Sequence, residues 1–127
     1  MGAEVTLPAL QARVGNGVRL RPWLARRLLP VGPVTFLQGL RLGDALWLST
    51  PCDFSGELAL GVKATATEHR LAAAVTSFNG DYVGYVIPAN YYTLDGYEPR
   101  TMSFFGPQLP ECFMAVLGEL TAMLADR

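Results

Sequence analysis

A single histidine, His69, serves the whole chain. A serine or cysteine triad would need it as the base, and no motif places it beside Ser55, Ser77 or Cys52. A glycine-rich phosphate loop, a GxSxG elbow and an HExxH pair are all missing. Cysteine is scarce too: Cys52 and Cys112 form no CxxC pair, which removes zinc-ribbon and thioredoxin-like readings. Two thiols in a near-neutral chain do not make a disulfide scaffold, and both are expected to be buried. Charge of one sign is lacking as well. Ten Lys and Arg face eleven Asp and Glu, so no broad basic field exists for nucleic acid or an anionic membrane. The local cluster Arg19, Arg21, Arg26 and Arg27 is interleaved with Pro22, Trp23, Leu24, Leu28 and Leu29 and reads as the solvated side of a short helix. No apolar run approaches the roughly 18 residues of a membrane span. The start, Met1 to Val5, has neither the basic residues nor the apolar run of a signal peptide. A soluble chain without a visible export signal is expected, with its compartment open.

What is present is enough for one core. A chain of 127 residues, 50% hydrophobic, can bury a single core and is too short for two ordinary domains, so residues 1–127 are expected to be one domain. Gly15-Asn16-Gly17 marks a turn between two short strands, Thr6 to Val14 and Val18 to Leu20. Pro22 can open a short helix through Leu29, ended by Pro30, Gly32 and Pro33. Val34 to Leu42 and Ala45 to Ser49, joined by Gly43-Asp44, read as a β-hairpin. Leu58, Gly61, Val62, Thr65 and Ala66 form the stripe of a helix over Ser55 to Glu68, packed on a sheet. Leu71 to Phe78, with its run of alanines, reads as a strand buried on both faces. Asn79-Gly80-Asp81 is a turn or bulge, and Tyr82 to Ile87 resumes extended structure. From Pro88 to Pro110 there is little regular period but much aromatic content, which predicts an ordered, functional loop. Phe113, Val116, Leu117, Leu120 and Leu124 give an amphipathic terminal helix starting at Pro110. The expected fold is α/β: a small mixed sheet with a β-hairpin, two main helices and a long aromatic loop.

Asp53 is the first residue with chemistry. It stands where a buried strand passes into a helix, so it either caps that helix in competition with Ser55 or offers a carboxylate at the strand's end, where ligands collect in α/β proteins. Tyr85 and Tyr97 are open to two readings as well, packing residues with exposed hydroxyls or members of a site. His69, between Glu68 and Arg70, suits the cationic end of a helix.

Order and spacing from Leu37 to Pro107 resemble the neutral ceramidase family, zinc amidohydrolases that cleave the N-acyl bond of ceramide. That family has Pro-Gly-Glu-Phe-Thr after a strand, and this chain has Pro51-Cys52-Asp53-Phe54-Ser55 followed by a helix. The family's Asn-x-Tyr-x-x-Tyr and later Tyr-Glu look like Asn79 to Tyr85 and Tyr97-Glu98, and its Tyr-Gly-Pro looks like Phe105-Gly106-Pro107. The resemblance implies zinc ligation by Asp53 and Tyr85, with Tyr97 as an active-site phenol that donates to the developing oxyanion. It also implies a lipid-like amide substrate. Asp replaces the family's Glu, Cys52 replaces its Gly and puts a soft donor beside the motif, and the two histidine ligands have no counterpart, because His69 follows the motif instead of preceding it. The chain therefore resembles the C-terminal portion of the catalytic domain. It is expected to be inactive alone, either as a piece of a longer polypeptide or as a shortened relative without metal. Its expected partner is the missing N-terminal part of that domain, or a second copy. The rival expectation is a non-catalytic binding or oligomerisation module whose aromatic stretch, Tyr82 to Phe105, is the surface and whose key residues are Tyr91 and Tyr92.

Overall fold

The computed structural model describes residues 1–15 and 17–127. Its centre is a four-stranded mixed sheet whose strands lie in the order Gly2–Thr6, Val34–Leu42, Ala45–Ser49 and Ala72–Thr76. β1 is Gly2–Thr6, and β2 (Arg13–Val14) and β3 (Val18–Arg19) form a separate two-stranded ribbon. α1 covers Pro22–Leu28. β4 (Val34–Leu42) and β5 (Ala45–Ser49) are the antiparallel hairpin expected from Gly43-Asp44, in register Leu42 with Ala45, and Gly43 takes the positive φ of 60° that the tight turn needs. β6 (Asp53–Phe54) leads into α2 (Gly56–Glu68), which crosses over to β7 (Ala72–Thr76), parallel to β5. β8 (Tyr85–Val86) pairs with β6, and α3 (Gln108–Ala125) closes the chain.

Both long helices cover one face of the sheet. α2 turns Val62 and Ala66 inward, and α3 buries Phe113, Leu117, Leu120 and Leu124. They meet Leu37, Leu46 and Leu48, the inward residues of the hairpin, which the two-residue alternation of a strand puts on one side. That α/β arrangement is the expected one. The opposite face carries Phe36, Leu40, Leu42 and Trp47, all exposed.

Three expected elements come out differently. The N-terminal strand is Gly2–Thr6, antiparallel to β4, and Thr6 to Val14 is not continuous: Leu7 donates to the Pro33 carbonyl, and Pro8 has no N–H with which to continue a ladder. The ribbon turn keeps Gly15 and Gly17 at positive φ, while Asn16 lies outside the described residues. Leu71 to Phe78 shrinks to Ala72–Thr76 and is not buried on both faces, since Ala72 and Ala74 are exposed at the end of the strand order. An alanine run is compatible with two covered faces, but the layer over the second face is missing among the described residues. Tyr82 to Ile87 likewise reduces to Tyr85–Val86. The aromatic loop is ordered, with a 3₁₀ turn at Ala89–Thr93, a π turn at Glu98–Met102, and Tyr92, Phe104 and Phe105 in its interior. α3 begins at Gln108, one half-turn before Pro110, whose missing N–H is tolerated in a first turn.

Candidate functional site

The choice at the head of α2 is resolved by its cap. Ser55 takes the cap position and its hydroxyl accepts from the Glu57 N–H at 3.3 Å, so Asp53 is not the cap and its carboxylate is left for other partners. Asp53 lies in β6, whose two residues run parallel to β8 with Asp53 opposite Tyr85 and Phe54 opposite Val86. The ladder is carried by Asp53 N–H to the Gly84 carbonyl and Ser55 N–H to the Val86 carbonyl, both at 3.0 Å. Phe54 and Val86 turn into the core, and alternation sends Asp53 and Tyr85 together to the other side.

Tyr85 hydrogen-bonds to the Asp53 carboxylate, and that bond, followed by the negative charge itself, raises the phenol above its ordinary pKa of 10.0. The Tyr97 ring stands edge-on to Tyr85, with centroids 6.3 Å apart and planes at 89°. The three residues singled out in the sequence therefore meet in one place. A fourth belongs with them: Tyr82, stacked on Phe78 at 5.7 Å and edge-on to Phe104, has its pKa raised first by burial and then by Asp53 and Tyr97. Its three-residue spacing from Tyr85 in a glycine-flanked stretch was the available signal.

A second phenol–carboxylate pair lies close by in the chain. Tyr91 donates to Glu57 Oε2 at 2.6 Å, linking the aromatic loop to the first turn of α2. Tyr91, Leu94, Tyr97 and Pro99 line a groove of ≈ 430 Å³. Tyr97 also borders a second groove of ≈ 370 Å³, with Gly15, Asp95 and Arg100.

Two other residues stand apart. Cys52 is fully buried and its thiol is pushed up to about 12, chiefly by burial, so it is a protonated, inaccessible thiol near neutral pH. His69 caps the far end of α2, exposed and about 20 Å along the helix axis from Asp53.

The donor set can be tested against a metal. Asp53 and Tyr85 are two hard oxygen donors side by side, but the described residues contain no group of three or more His, Cys, Asp or Glu that could hold an ion. A zinc site needs three or four ligands, so these residues do not make one by themselves. Among the described residues, no helix is long and apolar enough to cross a membrane.

The architecture is that of an α/β unit with its candidate residues gathered at the mouth of a short parallel strand pair. The fold is ceramidase-like. The neutral ceramidase from Pseudomonas aeruginosa superposes with a TM-score of 0.66 at 18% identity, over 75% of this chain and 16% of that one. A ceramidase complexed with C2 gives 0.65 at 18% identity, over 75% of this chain and 15% of the other. The chain thus spans about a sixth of the length of these enzymes. No protein-family model matches the sequence, and no curated protein does.

Proposed function

We propose that this chain is part of a zinc-dependent amide hydrolase of the neutral ceramidase type, in which Asp53 and Tyr85 supply two of the metal's ligands and Tyr97 acts on the substrate. The observation that carries the reading is the Asp53–Tyr85 pairing across β6 and β8, with Tyr97 against Tyr85. Zinc, when bound, would polarise an amide carbonyl and acidify a water. The chain's own contribution is positional. Asp53 is anchored through its backbone in a ladder, Tyr85 must give up its proton to bind a metal, and Tyr97, mostly exposed, has a phenol free to donate to an oxyanion. The groove beside Tyr97 would take an apolar part of an N-acyl amide.

The remaining ligands would come from the rest of a longer catalytic domain, which is the partner we assign to the bare sheet face. Phe36, Leu40, Leu42 and Trp47 are 51–65% exposed and present on the order of 400 Å² of apolar surface, at the upper end of what monomers leave uncovered. The ceramidases that share the fold carry several times more chain around the matching unit. Zinc titration of the chain joined to the histidine-bearing remainder of the domain, followed by NMR, tests the ligand assignment: signals of Asp53, Tyr85 and Tyr97 should move first, and Asp53→Asn and Tyr85→Phe should each weaken the binding. A response centred on His69 and Glu68 would overturn it. Amide hydrolysis should require the histidine-bearing remainder of the domain.

A binding-module reading has its own observation, the exposure of Phe78, Leu94 and Tyr97 around the aromatic loop. Tyr92 cannot serve it, because it is only 6% exposed, so Tyr92→Ala would test folding and Tyr91→Ala the surface. Partner binding that survives Asp53→Ala but not Tyr91→Ala favours this second reading.

A further inference from the structure

Tyr97 lies between the two irregular turns of the aromatic loop, and no β-ladder holds either of them to the sheet. The loop is instead gripped from the opposite end of the sequence. The Arg13 guanidinium, half-buried at the start of the β2–β3 ribbon, donates through Nη2 to the Tyr92 carbonyl at 3.3 Å and to the Pro99 carbonyl. Those carbonyls belong to the 3₁₀ turn before Tyr97 and the π turn after it. Two residues earlier, Gln11 fixes the loop's exit, its N–H donating to the Phe104 carbonyl at 2.7 Å and its Nε2 to the Phe105 carbonyl at 3.3 Å. A short helical turn leaves carbonyls that its own backbone does not satisfy, and a cation meets that need with bonds stronger than neutral ones. Arg13 spans the ends of the segment that holds Tyr97.

We infer that Arg13 is a positioning residue for the site: by bridging the Tyr92 and Pro99 carbonyls it sets where Tyr97 stands against Tyr85. Its place in catalysis rests on the function proposed above, but the geometric effect does not. Removing the guanidinium frees the loop to swing Tyr97 off the Tyr85 ring while the β4–β5 sheet and α3 stay as they are. Arg13→Met keeps the apolar stem and deletes the donors. Arg13→Lys keeps a cation with several donors.

The test is NMR of the chain with isotope-labelled tyrosine. In the wild type, the edge-on contact gives ring-current shifts and cross-peaks between Tyr85 and Tyr97. Arg13→Met should lose both while retaining the β4–β5 cross-peaks, Arg13→Lys should recover them in large part, and Arg19→Met, across the ribbon, should leave them unchanged. Retention of the Tyr85–Tyr97 signals in Arg13→Met overturns the inference. If that variant loses the sheet signals, Arg13→Gln is judged by the same criteria, and loss of the sheet in both assigns Arg13 a general structural role and overturns the inference too. A zinc titration of the domain completed with its histidine-bearing remainder that moves neither Asp53 nor Tyr85 would sink the functional proposal and leave the ring-contact result standing.

Discussion

Gly84 offers the sharpest test of how the site is built. It precedes Tyr85, accepts the Asp53 N–H through its carbonyl, and sits at φ 84°. A β-carbon placed there would lie 2.6 Å from the Phe104 ring and closer still to the Met102 carbonyl. Phe104 is buried and Met102 O is backbone, so neither can step aside cheaply. Gly84→Ala should therefore cost about 1–2 kcal/mol for the left-handed backbone and about 1–3 kcal/mol for overpacking. Gly80 separates the two contributions: its φ is 83°, but nothing lies within 4 Å of its would-be β-carbon. Gly80→Ala should show the backbone cost alone. Urea unfolding followed by tryptophan fluorescence reads both, and a total stability of about 5–15 kcal/mol leaves room for the larger loss. The same displacement should pull Asp53 from Tyr85 and let the phenol's pKa fall back toward 10.0. Equal midpoint shifts for the two variants would refute the close-approach argument.

Four more expectations follow from particular groups. Because the Tyr85 phenol is protonated below its raised pKa, zinc ligation in the completed domain must expel a proton, and affinity should rise about tenfold per pH unit below that pKa; calorimetry in buffers of different ionisation heat would expose a pH-independent affinity. At pH 8 an alkylating reagent should modify half-buried Cys112 and spare Cys52, as mass spectrometry of the peptides would reveal. The folded-state pKa of Cys52 is raised from 9.0 to about 12, so its contribution is complete below pH 9 and lost as pH climbs toward 12. Denaturation curves across that window should decline by about 4 kcal/mol from this group, and a flat profile would contradict its burial. Trp47→Lys should lower self-association in sedimentation runs while costing about 1 kcal/mol of stability, since the side chain is half-exposed on the bare face but its Nε1 donates to Thr76 Oγ1 at 2.9 Å.

The hairpin, α2 and α3 were readable because their signals are local. Gly43-Asp44 dictates a tight turn between two apolar runs, and the stripe from Leu58 to Ala66 has only one period that fits. β1 was hidden, because Gly2–Thr6 has no pattern of its own and exists by pairing with β4. The exposure of β7 was equally out of reach, since Ala72 to Val75 reads the same whether or not a second layer covers it.

The candidate site divides along the same line. The residue types of Asp53, Tyr85 and Tyr97 are properties of the chain as a string, but by themselves they left each residue open to a structural reading, and it was the resemblance to the ceramidase pattern that named the three together. Whether Asp53 would be consumed as a helix cap depended on Ser55 taking that place, and the meeting of Asp53 with Tyr85 depended on a two-residue parallel pairing across 32 positions. Arg13 carried no linear signal, because its partners lie 79 and 86 residues away, and Tyr91 could be named as a loop aromatic but not as the partner of Glu57, 34 residues away. Hydrogen bonds over such separations are decided by how the loop packs on the sheet, and that packing is a property of the folded whole.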